Sequence, residues 1–175
     1  MRKLLQQTGQ RGGGAARHTA TSENRRGITV LGRFFNKAVS NGAKKLRSYA
    51  GDKTFLSAAV SFAANIIKAD GKVEDDELKK ATRVINDHPI IKGNFSVDEI
   101  KRELDDALDR AETRGGRRVN SELIGKIKER ELADREAIFL IGADVADVNG
   151  LGEDERRELM KGADVLGVDG ADLLG

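Results

Sequence analysis

Residues 63–78 read Ala63-Ala64-Asn65-Ile66-Ile67-Lys68-Ala69-Asp70-Gly71-Lys72-Val73-Glu74-Asp75-Asp76-Glu77-Leu78. The stretch holds the end of a helix that is apolar on nearly every side, a glycine turn, and an acidic start to a second helix. A looser copy stands near the C-terminus as Ala143-Asp144-Val145-Ala146-Asp147-Val148-Asn149-Gly150-Leu151-Gly152-Glu153-Asp154-Glu155. Two helix–acidic turn–helix units predict an all-α fold, a compact bundle of seven to eight helices built around this repeat.

Immediately upstream, Thr54 to Ala69 places Phe55, Leu56, Ala58, Ala59, Val60, Phe62, Ile66 and Ile67 over most of the helical wheel, which predicts a central helix. Gly71 supplies a left-handed turn at its end. The next helix runs from about Asp75 to Asp87 and stops before Pro89, because the residue preceding a proline is pushed out of the helical region. Ser96 with Glu99 forms a capping-box pair, and Val97, Ile100, Leu104, Ala107, Leu108 and Ala111 form an apolar stripe behind it. Gly115-Gly116 is expected to end that helix, with Arg114, Arg117 and Arg118 in a solvated loop and a new helix from about Ser121. A second buried helix follows near Ala133 to Val148. Its partner spans Glu153 to Leu166, and a short turn covers Ala171 to Leu173.

Further upstream the composition changes. Residues 1–53 carry twelve Lys/Arg against Glu23 and Asp52, a net +10, and the remaining 19 basic and 27 acidic residues leave the rest at −8. Residues 1–27, with Gly12-Gly13-Gly14 and scattered arginines, hold too little apolar material to fold and predict a flexible basic tail. From Ile28 to Tyr49, Ile28, Leu31, Phe34, Phe35, Ala38, Val39 and Leu46 recur at helical intervals, and basic residues occupy the rest of the wheel. The domain proper is therefore expected to cover 28–175. Arg11, Arg17, Arg25, Arg26, Lys44, Lys45 and Arg47 are the candidate contacts to an anionic membrane surface or to nucleic acid. Packing of the 28–49 helix on its own domain, and a solvated leader before it, are the plainer readings.

Several chemistries find no residues to carry them. The chain of 175 residues has no cysteine, which removes disulfides, thiolate metal sites and cysteine nucleophiles. Apolar runs fall short of the roughly 20 residues that span a bilayer, and no secretory leader is recognisable. His18 and His88 lack a second histidine at ligand spacing and are expected at the surface or at a helix end. Glycine pairs stand without the Lys-Ser/Thr of a phosphate loop. An enzyme is not expected, nor a small-molecule substrate.

The acidic turns allow two readings. Asp70, Gly71, Val73, Glu74 and Glu77 fall at positions 5, 6, 8, 9 and 12 of a calcium-binding loop, but Ile66 and Lys68 stand where the first two ligands belong, so this is not an EF-hand. Acidic residues in a helix's first turn are also stabilised by its free N–H groups and dipole, without any metal. Were the two turns brought together, their carboxylates would repel each other unless a cation or a basic partner lay between them.

Taken together, the buried helix and Ala69-Asp70-Gly71-Lys72-Val73-Glu74-Asp75-Asp76-Glu77 resemble the TerB-like family of tellurite-resistance proteins, which includes N-terminal domains of some co-chaperones. Val165-Leu166-Gly167-Val168-Asp169 looks like that family's C-terminal exit, and the likeness spans about residues 30–174. Asn149 stands where the family has aspartate in the second unit, and Gly150-Leu151-Gly152 makes that turn about one residue short. The resemblance implies a compact cytoplasmic domain acting as a non-enzymatic scaffold in stress response or phage defence. Its place would be peripheral, at the inner membrane face, beside an integral-membrane protein partner. It implies a divalent-cation or basic-partner site at Asp70, Glu74, Glu77, Asp147, Asn149, Glu153 and Glu155, with Asp144 one turn below. Calcium is the expected metal, zinc or manganese the alternatives. The rival expectation is a nucleic-acid-binding or virion-associated structural protein that works through the basic tail.

Overall fold

The computed structural model describes residues 51–175 apart from 70, 72, 74, 148 and 149, and apart from the side chain of Glu77. Residues 1–50, and with them the tail, the 28–49 helix and the basic contact set Arg11, Arg17, Arg25, Arg26, Lys44, Lys45 and Arg47, lie outside the described residues.

Seven helices account for most of the described chain, and no strand occurs among the described residues. The first, α1, covers Lys53–Ile67. Asp52 starts it by accepting the Phe55 N–H at 3.1 Å. The same carboxylate grips Arg130 with both oxygens, at 2.5 and 3.1 Å. Alanines and branched residues on every face let neighbours close in all round, and twelve of its fifteen residues are buried. Helix α1 is the axis of the molecule: α3 (Val97–Ala111), α4 (Arg114–Gly125) and α5 (Leu132–Ala146) pack directly on it. Gly71, at φ +80°, turns the chain towards α2 (Asp75–Asp87), where Ala81 and Ile85 are buried and Leu78 and Val84 half-buried.

Helix α3 begins as expected, Ser96 accepting the Glu99 N–H at 3.2 Å, and buries Ile100, Leu104, Ala107, Leu108 and Ala111. The segment after it departs from expectation. The glycine pair does not close α3; Thr113 accepts the Gly116 N–H at 3.0 Å and opens α4 there, well before Ser121. A Cβ at Gly116 would fall inside the Arg110 carbonyl, so glycine stands there because α4 starts against the last turn of α3. Arg114, Arg117 and Arg118 are therefore helical. Arg117 donates to the Ala111 carbonyl at 2.7 Å and closes the α3–α4 corner.

Helix α5 is also apolar around its circumference and lies against α1, with Phe62 and Phe139 centroids 6.4 Å apart. Helix α6 (Glu153–Leu166) brings Gly162 to the opposite edge of the Phe62 ring from Gly142, and a side chain at either glycine would collide with that ring. Gly167, at φ +65°, ends α6, and Arg135 donates to the Leu166 and Gly167 carbonyls at 3.1 and 2.9 Å. A final turn, α7 (Gly170–Leu174), is capped by Asp169 and buries Leu173.

His88 stands at the end of α2 as expected, but it is not at the surface. It is 5% exposed, its ring stacked 6.4 Å from that of Phe55 at the N-terminal end of α1. Burial pushes its pKa down to about 4, so the imidazole is neutral inside the fold.

Candidate functional site

The contacts that join α1 to α5 advance along both helices together. Phe62 meets Phe139, and Ile66, one residue before the end of α1, closes on Gly142 near the end of α5. The two helices thus finish at one end of the bundle, where the described part of the acidic set stands.

Asp144 is the least comfortable group there. It sits half-buried on α5, and its Oδ2 is shielded from solvent with no hydrogen-bond partner among the described residues. Burial, and then the charge of Asp147 less than one turn further on, push its pKa up to about 6. Asp147 itself is exposed and ends the helix, its N–H reaching the Ala143 carbonyl at 3.0 Å. Gly150, at φ +91°, then reverses the chain.

The start of α6 uses its acids locally. Glu155 accepts the Gly152 N–H at 2.8 Å with Oε2, half of a capping box. Asp154 pairs with Arg157 one turn on. Glu153 is exposed in the first turn of α6, where the helix dipole favours a negative charge.

Of the seven candidate ligands, Asp147, Glu153 and Glu155 have described side chains, and among the described residues no group of three or more carboxylates or imidazoles converges on one point. Asp70, Glu74 and Asn149 lie outside the described residues, as does the side chain of Glu77. What the structure adds is the burial of Asp144, which the sequence sets one turn below the candidate ligands. The sequence marks it as acidic in an apolar helix; the burial of its Oδ2 depends on the packed fold.

Sequence reading also missed a buried polar cluster between α1, α3 and α4. Asn120, fully buried, donates to Asn65 Oδ1 at 3.0 Å and to the Ala107 carbonyl at 2.9 Å, and accepts from Arg110 Nε at 2.8 Å. The signal was Asn65, the one amide in a run whose other polar residues are serines. Every polar group of Asn120 is satisfied by protein, so the cluster fixes the registry of three helices and leaves nothing for a ligand.

Comparison with family models, with curated proteins and with solved structures gives no match for this chain.

Proposed function

We propose that this chain is a non-enzymatic scaffold of the TerB-like kind, built from two helix–acidic turn–helix units. In that reading α1–α2 and α5–α6 are the units, and the end of the bundle where α1 and α5 finish holds a divalent cation or the basic segment of a partner protein. The observation that carries it is Asp144: a carboxylate oxygen, withdrawn from water and unpaired among the described residues, beside a second carboxylate. A half-buried acid without a partner raises the free energy of the fold, and a bound cation or guanidinium would relieve that cost. Calcium, an oxygen-seeking ion tolerant of irregular ligand sets, suits such a site best.

The test is calorimetric titration of calcium, then zinc and manganese, into the full chain. Asp144→Asn/Asp147→Asn and Asp70→Asn/Glu77→Gln variants are titrated beside it. Saturable heat that both variants lose supports the reading. An absence of heat, with no cation-dependent rise in melting temperature, removes the cation and leaves the basic protein partner. Attachment to an anionic surface belongs to the +10 charge of residues 1–53. The rival reading, a structural protein bound to nucleic acid with the acidic turns serving only as helix caps, predicts that deleting 1–27 abolishes a strongly salt-dependent main interaction, whereas the scaffold reading predicts that cation binding survives the deletion.

A further inference from the structure

No further inference is drawn: the strongest candidate, the shallow hollow of about 280 Å³ beside the N-terminal turn of α1, lined by Lys53, Thr54, Ser57, Glu103, Leu123 and Lys126, is a helix N-terminus between two surface lysines, and nothing in the structure points to a ligand there.

Discussion

Asn120 and Asn65 meet inside the bundle, amide to amide, at 3.0 Å, and through that bond α4 is fixed against α1 at one registry. Around it Arg110 brings a charge to Asn120 Oδ1, and the carbonyl of Ala107 takes the second amide hydrogen. Replacing Asn120 by leucine strands Asn65 Oδ1 and takes the partner of Arg110 Nε away, while the Ala107 carbonyl loses its second bond. The expected loss is about 2–4 kcal/mol in urea unfolding. Asn65→Leu/Asn120→Leu should cost clearly less than the sum of its singles, because each single change already breaks the shared bond.

The two adjacent glycines of α4 should respond in opposite directions. Gly116→Ala drives a methyl into the Arg110 carbonyl and is expected to cost about 2 kcal/mol or more. A Cβ at Gly115 meets nothing within 4 Å, and alanine suits a helix better than glycine. Gly115→Ala is expected to stabilise by about 0.5–1 kcal/mol. Equal effects at the two sites in denaturant melts would contradict the packing at the α3–α4 corner.

Phe62 is held between Gly142 and Gly162, and its ring leaves no room for a methyl on either. Gly162→Ala should lower stability by about 2–3 kcal/mol. Trimming the ring in Phe62→Leu/Gly162→Ala should recover part of that loss, so the pair couples favourably in a double-mutant cycle. Strict additivity would place the two groups apart.

Two groups titrate against each other between pH 4 and 6.5. His88 has a native pKa of about 4 against an ordinary 6.5. It favours the fold above 6.5, and that contribution is lost as pH falls towards 4. Asp144 has a native pKa of about 6 against an ordinary 3.8, so its protonated form is favoured by folding. Its contribution is full below 3.8 and lost as pH rises through 6. The two slopes oppose each other in the parent protein. Relative to the parent, His88→Leu should gain stability steadily as pH drops from 6.5 to 4, and Asp144→Asn should lose its advantage over the same range. Chemical melts at several pH values read both difference curves; parallel curves would refute the assignments.

Glu155 separates capping from ligation. Glu155→Gln keeps an oxygen for the Gly152 N–H and should change stability by less than about 0.5 kcal/mol. Glu155→Ala removes that oxygen and should cost about 1 kcal/mol. If Glu155 also serves a cation, both variants weaken calcium binding alike despite their different melting temperatures.

Local signals carried the sequence reading a long way. Ser96 with Glu99, the spacing from Ile100 to Ala111, the proline after His88 and the glycine at position 71 each act within a few residues, and each sits where the pattern placed it. The failures share a different cause. Gly116 looked like a terminator because its reason for being glycine is the carbonyl of a neighbouring helix. The helix-end position of His88 was legible, but not its burial, because Phe55, its stacking partner, lies far away along the chain. The acids of the second turn were legible as a set, yet not their division of labour. Glu155 is engaged by its own helix, whereas Asp144 is shielded by the packing around α5.

The central position of α1 has a consequence for how the protein is made. Its twelve buried residues are covered by α3, α4 and α5, and the Asp52–Arg130 pair at its start waits for a residue 78 positions later. During synthesis α1 leaves the ribosome long before those helices exist, and its Phe, Val and Ile surface stays wet until α5 has emerged. A nascent chain halted after α2 would offer a greasy, chaperone-binding rod in place of half a protein. Helix α1 and the helices that cover it thus mature together or not at all.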